Sequence, residues 1–183
     1  KDNIVSLVSK IGENIKLRRF KKIVKDNYRL ASYIHNKANN VSGKIISAVK
    51  YKSTNEKSVK FATDVCMHIA AMTPMALSEK NLDPDFVNKE KKIIAEQIDK
   101  SGKKPEILEK IIKGKLSKTI SENTLLNQNW VIDQELSVSK AIEKHNKDKS
   151  DSFEIIDFLR FKVGEGIEVK KIDFSEEVKS LTK

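Results

Sequence analysis

The longest apolar pattern in the chain is Glu56–Thr73. Val59, Ala62, Cys66, Ile69 and Thr73 recur at steps of three and four, which is the period of a helix, and from Val65 to Met72 only His68 interrupts the apolar run. A helix that is apolar nearly all round must be covered on several sides. The pattern therefore predicts a central core helix, capped by Asn55 and stopped by Pro74. Earlier in the chain, Ile4, Val5, Leu7, Val8 and Ile11 have helical spacing, and Gly12 stands where helices commonly end. From Asn14 to about residue 23 the pattern alternates, which predicts a strand with Phe20 on its core side. A lone strand needs partners, so the chain is expected to be a piece of something longer, as its start at Lys1 inside an amphipathic run also suggests.

Tyr28–His35 and Lys44–Tyr51 read as two strands joined by the Asn-, Ser- and Gly-rich loop 36–43. After the central helix, Asp83-Pro84 starts a helix with Phe86, Val87, Ile93, Ile94 and Ile98 in a narrow stripe. Gly102 breaks it, and Pro105 starts another with Ile107, Leu108, Ile111, Ile112, Leu116 and Ile120. Two narrow-striped helices with charged outer faces predict an antiparallel hairpin projecting into water. Gly114 inside the second helix points to the close approach of another backbone. Leu125–Ile132 returns irregularly to the core, and Trp130 within it suits either a core position or an exposed anchor. Val138, Ala141, Ile142 and His145 mark a short helix, Asn146–Ser152 a mobile loop, Phe153–Val163 a strand broken at Gly164-Glu165-Gly166, and Asp173 with Glu176 the capping box of a last helix. The sum is an α+β fold, a small antiparallel sheet of about three strands packed on helices with a protruding helical hairpin.

Composition changes this picture little. At 183 residues, 38% hydrophobic and 34% charged, the chain can bury a real core, and no apolar run approaches the roughly 18 residues of a membrane span. A single cysteine excludes an internal disulfide framework, and a reducing cytoplasmic setting is the simplest reading. The net charge of +10 favours acidic partners, but lysines scattered among 26 acidic residues read first as a solvated surface.

Candidate chemistry is sparse. His35, His68 and His145 are far apart and lack metal-ligand spacing with Cys66. His68 reads as a core histidine with a satisfied hydrogen bond, and Cys66 as an inert buried thiol. Gly164-Glu165-Gly166 lacks the third glycine and the Lys-Ser/Thr ending of a phosphate loop, and its carboxylate would repel phosphate. Arg18, Arg19, Lys21 and Lys22 around Phe20 form the densest basic cluster, the one feature that favours a basic RNA-binding module as the alternative reading. The residues alone give an α+β binding protein without a visible active site.

Several stretches taken together resemble the translation elongation factor Ts family of bacteria and organelles. They are Lys10-Ile11-Gly12-Glu13-Asn14-Ile15 with Arg18-Arg19, Ser32-Tyr33-Ile34-His35, Met67-His68-Ile69-Ala70-Ala71 with Pro74, Gly102 with Lys104-Pro105, Glu109-Lys110-Ile111 with Gly114, Leu126 with Gln128, and Phe161 to Ile167. The resemblance implies a guanine-nucleotide exchange factor for elongation factor Tu, without catalytic chemistry or a cofactor of its own. By position, Ile11 and Gly12 match a pair that contacts Tu's nucleotide domain, and His35 a histidine that approaches its switch region. Val131 and Ile132 match apolar residues that grip Tu's third domain. It further implies a remnant of an N-terminal core subdomain at 1–27, a C-terminal core subdomain at 28–77 and 126–166, a coiled-coil or dimerisation subdomain at 78–125 able to pair two copies, and a C-terminal module at 167–183. No membrane and no direct nucleic-acid contact are expected. The family's N-terminal helical domain and its Thr-Asp-Phe motif are absent here, and Asn36 stands where a Gly is expected after His35. The chain is accordingly expected to bind Tu but to exchange nucleotide poorly.

Overall fold

A computed structural model of the chain describes residues 2–13, 15, 17–99 and 105–167. The two runs of alternating pattern around the Asn/Gly-rich loop pair as antiparallel strands β1 (Arg29–Lys37) and β2 (Gly43–Lys52), with Arg29 opposite Tyr51 and His35 opposite Ile45. Strand β3 (Glu154–Lys162) adds to the other edge of β2, also antiparallel, giving the order β1-β2-β3 with a register shift at Lys50/Tyr51. Period-two alternation gives this sheet two distinct faces. Tyr33, Ser47, Val49, Tyr51 and Phe158 point inward.

The central helix α2 (Val59–Met72) lies across β1 and β2 on that inner face. Asn55 caps the 3-10 turn that leads into it, its side chain accepting from Lys57 N. Thr73, in the left-handed region at φ 53°, and Pro74 stop it. Ala62, Val65, Cys66, His68, Ile69 and Ala70 are buried, in one core with Leu125, Trp130, Val138 of helix α5 (Val138–Lys149), Phe153 and Ile155. At about 25 cal/mol per Å² of apolar surface removed from water, this cluster is the main source of stability.

Helices α3 (Pro84–Asp99) and α4 (Pro105–Asn123) leave and re-enter the body at one neck. There Leu125 N donates to Ala76 O (2.9 Å) and Met75 N to Asn123 O (2.9 Å). Phe86 and Val87, early in α3, pack with Leu116 and Ile120, late in α4, so the two helices run antiparallel. The turn between them, with Gly102, lies outside the described residues, as does the C-terminal segment with Asp173 and Glu176. Among the described residues no helix is long and apolar enough to cross a membrane.

Four expectations fail, each for a physical reason. The expected strand at 14–23 is no strand among its described residues. Arg19 and Lys21 instead meet the sheet's outer face through their side chains: Arg19 sits 5.1 Å from the centre of the Phe161 ring and Lys21 pairs with Asp157 at 2.7 Å. Phe20 accordingly lies outside the core, 83% exposed. The stretch Asn146–Ser152 is no mobile loop, because α5 continues to Lys149 and the residues after it are tied into the body, Phe153 N donating to Asn146 Oδ1 at 2.7 Å. Among the described residues nothing approaches Gly114: a Cβ there would meet no atom within 4 Å. Gly114→Ala should therefore stabilise the chain by about 1 kcal/mol, the helix-propensity difference, read as a higher urea midpoint.

Candidate functional site

The last turn of α2 keeps one apolar side uncovered. Met67, Ala70, Ala71 and Thr73 line an open groove of about 620 Å³. Tyr33, His35 and Ile45 come to it from the end of the β1–β2 hairpin, Arg160 and Lys162 from β3, and Val131 and Ile132 from the segment after Trp130. Val131 is 38% and Ile132 59% exposed. A contiguous apolar surface that a folded protein leaves in water, edged by Lys162 and His35, has the make-up of a docking site.

Three of the five sequence-selected residues, His35, Val131 and Ile132, thus meet in one hollow although they are distant in sequence. Ile11 and Gly12 do not line it. They end helix α1 (Asp2–Ile11), which has no buried residue, and Ile11 is exposed. Gly12, at φ 76°, donates its N–H to Val8 O and closes that helix, so its conformation alone accounts for a glycine. Sequence reasoning missed Tyr33, Met67, Ala70, Ala71 and Lys162. For Met67, Ala70 and Ala71 the signal lies in the all-round apolarity of α2, which exceeds what the core covers; Tyr33 and Lys162 carry none.

The groove is rooted in the core at two places. Trp130 is buried, its ring stacked on His68 with centroids 5.2 Å apart. His68 is fully buried; its Nε2 lies 3.0 Å from Gln128 Oε1, and Val131 N donates to its Nδ1 at 3.2 Å. Burial favours the neutral ring and lowers the pKa of His68, while the Gln128 hydrogen bond opposes that shift. On the sheet side, His35 Nδ1 and Tyr33 Oη share a hydrogen bond of 3.1 Å.

Asn36, near the end of β1, takes φ 50°, a left-handed conformation that asparagine tolerates better than most residues, so it can stand where a Gly is expected. Gly43, by contrast, has no room for a side chain: a Cβ would fall 2.5 Å from Ile34 Cγ2 and 2.8 Å from His35 O. Gly43→Ala should cost about 1–3 kcal/mol in a urea titration and displace His35.

Two other clusters invite a chemical reading. Ser58, His145 and Asp151 come together, with Ser58 Oγ 2.9 Å from His145 Nε2. The Ser58 hydroxyl donates to the Asp151 carboxylate, however, which is held well below the usual carboxylate range and is too weak a base to activate it, and Ser58 is buried from any substrate. The cluster is a structural knot. In the second, Arg18 donates to Glu165 O and Gly166 O, and Glu165 Oε2 and Oε1 accept from Arg19 (3.0 Å) and Arg160 (2.7 Å). Arg19, seconded by Arg160, holds the Glu165 carboxyl below the usual range against the opposing effect of burial. Both arginines of the basic cluster are therefore engaged within the chain. Burial pushes the Cys66 thiol up to about 12, which makes it inert near neutral pH. Among the described residues no group of three or more His, Cys, Asp and Glu side chains is placed to hold a metal ion.

The fold and site define a class: an α+β protein with an open, largely apolar groove, edged by the paired strands and the end of α2. A sequence model of the family described as Elongation factor TS matches residues 1–165. The chain is 40% identical over 178 residues to an elongation factor Ts of Clostridium acetobutylicum, covering 97% of this chain and 57% of that relative. It is 43% identical over 173 residues to one of Nitratiruptor sp. (93% and 56%) and 38% identical over 177 residues to one of Paracoccus denitrificans (97% and 57%). This chain belongs to the elongation factor Ts family, and it spans a little over half the length of these curated relatives.

Proposed function

We propose that this chain docks on elongation factor Tu and that the protein it belongs to promotes exchange of GDP for GTP on Tu during protein synthesis. Family membership supports Tu as the partner. The observation that carries the site is the gathering of His35, Val131 and Ile132 in one groove with the open side of α2. Ile11 and Gly12, exposed at the end of α1, supply a second contact. Exchange needs no acid or base of its own. A factor that binds nucleotide-free Tu more tightly than GDP-bound Tu weakens GDP binding by the same factor, because the coupling is reciprocal. The apolar groove supplies affinity, and His35 competes for packing around the partner's switch region. The setting is the cytoplasm, where Tu works, and a second copy of the chain pairs through α3 and α4.

The test is retention of this chain on immobilised Tu at moderate and high salt, with release of a fluorescent GDP from Tu followed in parallel. Apolar docking predicts retention at both salt concentrations. An RNA-binding module would lose its ligand steeply with salt and ignore Tu. Absence of retention on Tu at either salt concentration refutes the proposal, and sedimentation of the chain alone tests the pairing of copies.

A further inference from the structure

Val131 and Ile132 can serve as a docking surface only if their backbone is held, and the hydrogen-bond network shows what holds it. Gln128 Nε2 donates to two carbonyls, Met72 O (3.2 Å) at the end of α2 and Glu122 O (2.7 Å) near the end of α4. Both amide hydrogens being used, Gln128 must present its oxygen to His68 Nε2, 3.0 Å away, and an oxygen there requires Nε2 to carry the ring proton. The other ring nitrogen, Nδ1, is then a bare acceptor, and Val131 N–H donates to it at 3.2 Å. The tautomer of His68 is thus set on one side by the neck of the helical hairpin and read out on the other by the groove.

We infer that His68 is a positioning residue for docking: through its unprotonated Nδ1 it fixes the Val131 backbone and so aims Val131 and Ile132 at the partner. The inference rests on the reading above that these two side chains contact Tu. The stacked Trp130 ring supplies the second restraint on the same segment. Within the segment, Trp130 N is spent on Leu136 O (2.8 Å) and Asp133 N on Trp130 O (3.2 Å), so the Val131 N–H is the bond that ties the turn to α2. A ring with its proton on Nδ1 would face that N–H donor to donor and release it. Burial, which lowers the His68 pKa, works in the same direction by disfavouring the doubly protonated ring.

Two substitutions separate positioning from mere packing. In His68→Asn the side-chain oxygen reaches the place of Nδ1 and keeps an acceptor for Val131. In His68→Gln the amide reaches the place of Nε2, keeping the Gln128 contact and losing the acceptor. Each leaves out part of the buried ring, so both should show comparable drops in urea midpoint. Affinity for Tu should stay within about threefold of the unsubstituted chain for His68→Asn and fall about tenfold or more for His68→Gln, tenfold being the loss of about 1.4 kcal/mol. Equal weakening by the two, or a loss that follows stability alone, overturns the inference. Ile132→Asp is the control for the underlying reading: if it leaves affinity unchanged, the docking site itself is wrong, whatever His68 does. Should either His68 variant fail to fold, the imidazole nitrogen NMR spectrum of the unsubstituted chain decides. A protonated Nε2 with a bare Nδ1 supports the inference, and the opposite tautomer overturns it.

Discussion

Ile132→Asp should weaken association with elongation factor Tu about thirtyfold or more while leaving the fold intact. The side chain is 59% exposed, so the free protein pays little for the change, within about 0.5 kcal/mol. In the complex the new carboxylate would be pressed against apolar surface beside Val131 and Met67. Buried central contacts of this kind carry about 2 kcal/mol or more of binding energy, and desolvating an unpaired charge adds to the loss. Calorimetric titration of Tu with the variant, alongside a urea denaturation curve, separates the two effects. Unchanged affinity would remove Val131 and Ile132 from the interface and leave Ile11, Gly12 and His35 to account for docking.

The largest effect on stability should come from a residue away from the groove. Asp151 has a side-chain exposure of 0%, and its carboxylate accepts from Ser53 Oγ (2.8 Å), Thr54 N (2.8 Å), Thr54 Oγ1 (3.0 Å), Asn55 N (3.1 Å), Ser152 N (2.7 Å) and the Ser58 hydroxyl. It joins the turn entering α2 to the turn leaving α5. Asp151→Ala would strand these donors and should cost about 3–5 kcal/mol. Burial alone would raise the carboxyl's pKa, but the bonds from Ser58, Ser53, Ser152 and Thr54 outweigh it and hold the group well below the usual carboxylate range. A folded pKa below the unfolded value of about 3.9 means that the unfolded chain takes up the proton first as pH falls. The contribution is therefore complete above that pH and drains away as acid carries the solution toward the folded value. Urea midpoints measured between neutral pH and strong acid should drop steeply in the unsubstituted chain, and Asp151→Asn should flatten that drop.

The knot around Asp151 also shows where pattern reading stops. Hydropathy sees Asn146–Ser152 as a polar run and assigns all of it to water, yet Asn146 and Asp151 turn back to the body and bond to Phe153 N and the Ser53 hydroxyl. The paired strands around loop 36–43 and the central helix were legible because alternation and helical period recorded a single buried face. The segment at 14–23 alternates as well, but for another purpose. Successive basic side chains reach across the sheet to Phe161, Asp157 and Glu165, and a pattern of period two does not distinguish a backbone ladder from a strap held by its side chains. His68 was legible as a satisfied core histidine, whereas its bond to the Val131 backbone joins parts of the chain that no local pattern connects. Trp130, open to two readings in sequence, is buried and supports the exposed pair that follows it.

One consequence concerns which molecule deforms when two surfaces meet. The rim of the groove is nailed down from beneath by an indole, an imidazole and a glutamine amide shared among α2, α4 and the turn beyond. Such a rim has little slack to surrender, so association loses little through ordering it. If the chain docks on Tu as proposed, stiffness is the means by which a disturbance of the partner's grip on its nucleotide would be delivered.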